Sequence, residues 1–111
     1  MKRYAFALDL KDDSKLIAEY EAYHKKIWPE IKQSILDTGI VRMEIYRLGT
    51  RLFMNVEAED SFSLEKKARM DRDNPKVQEW EDLMWTYQQA LPVARPGEKW
   101  MEMHPIFVLE G

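Results

Sequence analysis

Residues 19–31, E-Y-E-A-Y-H-K-K-I-W-P-E-I, contain His24, the one histidine of the first hundred residues, with Tyr20 one helical turn before it and a Trp28-Pro29 step after it. On a helix Tyr20 and His24 stand at i and i+4, so they share a face and their rings line one wall. Leu16, Ile17, Tyr20, His24, Ile27 and Ile31 trace a single apolar stripe, which turns the imidazole inward. An inward imidazole beside a phenol suits proton transfer near neutral pH, because an unperturbed pKa of about 6.5 keeps both protonation states within reach. The same pattern also describes a core histidine whose ring nitrogens meet a carbonyl or a hydroxyl, and the spacing alone does not choose between the two.

Trp80 belongs to a later amphipathic stripe and is expected to face the same interior, near Met43 at the middle of the second strand. Taken alone, Trp80 reads as core. Together with Tyr20 and His24 it makes a small acid–base site with one flat apolar wall. Glu81, next to Trp80, is placed at the rim of that site. The remaining helical carboxylates alternate with lysines and read as a solvated face, as do Lys25-Lys26 and Glu65-Lys66-Lys67. A catalytic metal is not expected, since ligands converge in threes or fours and the other histidine, His104, lies in the last strand. No glycine-rich loop precedes a helix, which argues against phosphate and dinucleotide cofactors. The serines fall at helix caps or surfaces, which argues against a Ser-His-Asp triad. No cofactor is expected.

These residues need elements to hold them. Residues 3–10 alternate, with Tyr4, Phe6, Leu8 and Leu10 on one face, and read as a strand. Lys11 to Ser14 form a turn with Asp12, Asp13 or Ser14 available as N-cap, opening a helix over about 14–25. Pro29 pushes Trp28 out of the α region and starts a second helical piece through Asp37, closed by Gly39. Residues 40–48 and 51–58 read as two strands joined at Gly49-Thr50, with Val41, Met43 and Ile45 on the core face of the first. Ser61 is expected to cap a third helix. Pro75 begins a fourth, carrying Val77, Trp80, Leu83, Met84 and Tyr87. After a proline-rich loop, residues 99–109 read as a final strand, with Met101, Met103, Phe107 and Leu109 on one side.

Strand, broken helix, strand, strand, broken helix, strand is the α+β, ferredoxin-like arrangement: one antiparallel four-stranded sheet with its helices on one face. The other face is left bare. Tyr46, Phe53 and Trp100 are expected to form an apolar patch there, so a homodimer packing sheet on sheet is predicted, a dimeric α+β barrel.

With 111 residues, 45% hydrophobic and 33% charged, the chain has the composition of one globular domain, residues 1–111, with a core of useful size. A formal charge of −3 gives no footprint for nucleic acid or for an anionic membrane surface. No apolar run reaches the roughly 18 residues of a membrane span. The absence of cysteine removes disulfides, thiol nucleophiles and zinc–thiolate sites, and a cytoplasmic address fits.

The string Y-x-x-x-H-x-x-I-W-P-E resembles the L-rhamnose mutarotase family, as do G-x-x-x-x-x-I-Y in the second strand, L-F-M-x-V-E in the third and V-Q-E-W-x-x-x-M in the late helix. These matches run in order through nearly the whole chain. The resemblance implies a dimeric α+β barrel that interconverts the α and β anomers of a free deoxysugar. It makes His24 the proton donor, Tyr20 a sugar-binding tyrosine and Trp80 the first of two adjacent sugar-binding tryptophans. Two positions depart from the pattern: Met43 stands where a pocket tyrosine is expected, and Glu81 stands where the second tryptophan is expected. A phenol and an indole are thereby exchanged for a thioether and a carboxylate, which alters the hydroxyl pattern the pocket would prefer. The runs M-E-I-Y-R-L-G-x-R-L-F-M, P-K-V-Q-E-W-E-x-L-M-W and P-G-E-K-W look more like members associated with L-fucose catabolism.

On that resemblance a protonated His24 gives its proton to the ring oxygen, and the base is Tyr20, a carboxylate or water. Two other activities fit the same architecture. One is a cofactor-free monooxygenase acting on a flat polycyclic substrate, which a pocket lined mostly by hydrocarbon, with few groups for hydroxyls, would favour. The other is a non-catalytic sugar-binding dimer.

Overall fold

The alternation at the N-terminus becomes β1 (Lys2–Leu10), the central strand of the sheet. The structure, a computed structural model, describes residues 1–111. Asp13 caps α1 (Ser14–Lys25), its carboxylate accepting from the backbone of Lys15 at 2.9 Å and of Leu16 at 3.1 Å. Trp28, at φ −59° and ψ 135°, is extended as a residue before proline must be, and α2 (Pro29–Asp37) begins at Pro29. Gly39 at φ 100° turns the chain out of α2 in the left-handed region that glycine enters without strain. The hairpin of β2 (Ile40–Leu48) and β3 (Arg51–Ala58) follows. Two more helices, α3 (Leu64–Arg72) and α4 (Pro75–Trp85), precede two short strands, β4 (Gln88–Gln89) and β5 (Met101–Glu102).

The sheet runs β2-β3-β1-β4, all neighbours antiparallel, with β5 also on β1. This is the ferredoxin-like order. Its helices cover the face that carries Leu8, Leu10, Leu52 and Val56, all buried. Two apolar clusters lie beneath them. One gathers Leu10, Tyr20, Ile31, Leu52, Trp80 and Met84 around α1 and α4. The other gathers Ile40, Met54, Val56, Ala58 and Phe62. Ile35, Ile45 and Trp100 pack against both.

Four expectations need correction. The third helix is capped by Ser63 and not Ser61: Ser63 accepts from Lys66 N at 3.0 Å, because Phe62 between the two serines is drawn into the core and delays the helix. Val41 is exposed, since a bulge between Ile40 and Arg42 gives the buried position to Ile40. The fourth strand position is shared by β4 and β5, and of residues 99–109 only Met101–Glu102 pair. Residues 103–110 are exposed, Ile106 94% and Leu109 81%.

The fourth concerns Trp100. Met101 pairs with Ala7, which puts Met101 on the outer face and turns Trp100 inward, where it joins both clusters instead of the bare face. The outer patch therefore consists of Tyr46 and Phe53, their rings stacked at 6.0 Å, in line with Ala7 and Met101.

Candidate functional site

Between the helices and the inner face of the sheet lies a cavity of about 540 Å³, within the range typical of small-molecule pockets. Tyr20, His24, Met43, Trp80 and Glu81 all line it. The five residues singled out from the sequence are thus brought together by α1, β2 and α4.

Packing on α1 sets the chemistry of the first wall. The Tyr20 and His24 rings lie 4.3 Å apart, as one helical turn requires. His24 Nδ1 donates to the Tyr20 carbonyl at 2.8 Å. A carbonyl only accepts, so the proton of the neutral ring sits on Nδ1 and Nε2 carries the free lone pair. Burial lowers the His24 pKa below its usual 6.5, and the bond to the Tyr20 carbonyl offsets only part of that shift. At neutral pH the ring is uncharged and Nε2 is a proton acceptor. Trp80 meets the His24 ring edge-on at 5.7 Å and is itself held by Trp28 at 5.0 Å and Tyr23 at 6.0 Å.

Tyr20 is 3% exposed, and its hydroxyl accepts from Gln88 Nε2 at 3.2 Å. Burial raises the phenol pKa, outweighing the Gln88 bond, so the hydroxyl keeps its hydrogen and can donate it into the cavity. Gln88 is equally buried and its Oε1 has no partner in the protein. Sequence reading passed over Gln88 because glutamine is normally a surface residue. Only the β4 pairing with Leu10 carries it inside.

Adjacent residues on a helix point about 100° apart, and α4 uses that angle. Trp80 turns to the α1 wall, while Glu81 turns to a second wall. There Gln78 Nε2 lies 3.5 Å from Glu81 Oε2, and Lys99 Nζ donates to the Glu81 carbonyl at 3.0 Å. Burial raises the Glu81 pKa despite nearby Lys99. Lys67 and Asp71 line the cavity as an ion pair, their side chains 27% and 15% exposed. Lys67 therefore belongs to the cavity and not to a solvated face. His104 lies outside the cavity and is exposed. No three His, Cys, Asp or Glu side chains converge on a point that could hold a metal ion.

The model of a known family, described as L-rhamnose mutarotase, matches residues 3–109. An L-fucose mutarotase from Xanthomonas campestris pv. campestris is 44% identical over 98% of this chain and 89% of its own. In three dimensions, the crystal structure of an L-rhamnose mutarotase from Formosa agariphila superposes with a TM-score of 0.73 at 24% identity, covering 99% of this chain and 100% of that one. Tetracenomycin F2 cyclase from Streptomyces glaucescens, a type-II polyketide cyclase, reaches 0.65 at 19% identity over 100% and 99% of the two chains. At those identities the two solved structures speak for the fold alone.

Proposed function

The chain belongs to the L-rhamnose mutarotase family, and from that premise we propose that it interconverts the α and β anomers of a free 6-deoxy-L-sugar, L-fucose ahead of L-rhamnose. It is an isomerase, and the reaction moves one proton from O1 to the ring oxygen without any change of oxidation state. His24 Nε2 takes the O1 proton as C1–O1 becomes a carbonyl and the bond from C1 to the ring oxygen breaks. The Tyr20 hydroxyl hydrogen-bonds the ring oxygen as charge develops on it. The imidazolium then returns its proton to that oxygen, which lies within reach because both oxygens are bonded to C1. Rotation about C1–C2 presents the other face of the aldehyde, and the same steps in reverse close the ring. His24 is then both base and donor in one turnover, starting as base. Trp80 supplies the flat wall, and Met43 and Glu81 are substrate contacts.

The observation that carries this reading is the His24 ring, held by Nδ1 with Nε2 free in a cavity that also presents charged and amide groups. Those polar groups suit hydroxyls and would lie desolvated against a flat hydrocarbon, which disfavours the monooxygenase alternative. The preference for L-fucose rests on the relative from Xanthomonas campestris and on the exchange of an expected tyrosine and tryptophan for Met43 and Glu81.

The working form proposed is a cytoplasmic homodimer. Supporting it, Tyr46 is 54% and Phe53 37% exposed on the uncovered sheet face, and the tail leaves Phe107 78% exposed. No helix is long and apolar enough to cross a membrane. The test of the activity is NMR exchange between the two H1 signals of 6-deoxy-L-sugars. L-fucose should exchange fastest, L-rhamnose next, both well above the spontaneous rate. Exchange at the spontaneous rate for both would refute the assignment.

A further inference from the structure

The helix α3 is unusual among the four in burying no residue at all. Its cavity-lining residues are Leu64, Lys67, Ala68, Asp71 and Arg72, at i, i+3, i+4, i+7 and i+8. An amphipathic helix places apolar side chains at such positions. Here three of the five are charged, and two of them, Lys67 and Asp71, are paired with one another while mostly withdrawn from water.

Withdrawing an ion pair from water costs more than the pair commonly regains, unless its remaining donors and lone pairs are also used. Within the protein, Lys67 Nζ bonds Asp71 Oδ2 and nothing else, and Asp71 Oδ1 has no hydrogen bond. One carboxylate oxygen and two ammonium hydrogens are thus left without a protein partner on the wall of the half-open cavity. Around them Gln78 braces the helix, its amide donating to the Asp71 carbonyl at 2.9 Å, and Glu81 stands within 3.5 Å of that same amide.

We propose that the Lys67–Asp71 pair is a sugar-binding bracket that reads two neighbouring ring hydroxyls, one donating to Asp71 Oδ1 and the other accepting from Lys67 Nζ, and so selects sugar configuration. The ligand class follows from the chemistry of the leftover groups. A donor and an acceptor side by side match a vicinal diol, in which each hydroxyl can play either part. A phosphate would meet the carboxylate as well as the ammonium. A hydrocarbon would leave both charges unpaired with anything but each other. The bracket stands on α3, whereas the proposed proton transfer is carried by α1.

This inference rests on the mutarotase reading, and its test separates the two. Three variants are compared with the native protein: Lys67→Met, Asp71→Asn, and the double swap Lys67→Asp with Asp71→Lys, which keeps the i,i+4 ion pair. Anomer exchange is measured by NMR, and affinity by calorimetry, on L-fucose and its epimers at C2, C3 and C4. The single variants should raise KM and Kd for the preferred sugar at least about tenfold, with kcat nearly unchanged. The swap should keep the melting temperature yet change which epimer is preferred, an effect a merely structural ion pair would not produce. Unchanged Kd and unchanged epimer ratios in all three variants, with the native protein active, would overturn the bracket alone. A native protein that binds L-fucose through the pair but leaves exchange at the spontaneous rate would overturn the mutarotase reading and uphold the bracket. No sugar binding by the native protein would overturn both.

Discussion

The α1 and α3 walls of the cavity differ in chemistry although they share one helical spacing. On α1, Tyr20 and His24 at i and i+4 are packed among aromatics, and burial pushes the imidazole toward its neutral form. On α3, Lys67 and Asp71 at i and i+4 form an ion pair on a helix that fully buries none of its residues. The first arrangement makes a group that changes protonation state. The second makes a fixed pattern of charge. Substrates should feel the α1 wall in the rate of the chemical step and the α3 wall in which sugar is held.

The largest effect expected from that division is on His24→Ala. Positioned acid–base groups typically contribute about 10²–10⁴-fold, and kcat for anomer exchange should fall by that order for every sugar alike, with the fold intact. A loss confined to one epimer would erase the distinction between the walls.

Tyr20→Phe comes next. It removes the hydroxyl proposed to bond the ring oxygen and leaves the Gln88 amide without its partner. Exchange should slow by roughly tenfold, and the protein should lose about 1–3 kcal/mol in denaturant unfolding, because a buried amide is left unsatisfied. Full stability with a slowed rate would mean that Gln88 finds another partner and does not orient the phenol.

Smallest in its effect on the chemistry is Phe53→Asp on the outer sheet face, far from both walls. A charge set into the apolar row beside Tyr46 should shift sedimentation from dimer to monomer at micromolar concentration while the exchange rate per site changes little. A monomeric native protein would remove the proposed role of that face.

The two walls also differ in how far they could be read from residue types. A lone histidine on an apolar stripe stands out, and the caps and breaks around it, Asp13 and Pro29, are local signals that fix α1 and α2 without help from the rest of the chain. The strands β1 to β3 were legible for the same reason, their alternation being strong. Lys67 was not, since a lysine inside a Glu-Lys-Lys run looks solvated until the tertiary packing turns that side of α3 to the cavity. Gln88 enters only through a two-residue pairing too short to leave a period. The last strand was overextended because the apolar residues from Ile106 to Leu109 look like a core strand and are in fact exposed. Trp100 changes face with it, since a one-residue shift in pairing exchanges the two faces of a strand.

Because the folded-state pKa of His24 lies below the unfolded value of about 6.5, the unfolded chain binds the proton first as pH falls. Stability should therefore decline as pH drops through 6.5 toward the folded value. Exchange activity should fall at the lower end of that window, as pH passes the folded pKa, since Nε2 is needed free. The most direct test of the central claim is a ¹⁵N NMR titration of the His24 ring with and without saturating L-fucose. The account predicts a protonated Nδ1, an unprotonated Nε2 titrating below 6.5, and an Nε2 signal that moves when sugar binds. A proton on Nε2, a midpoint at or above 6.5, or an Nε2 signal indifferent to sugar would contradict it.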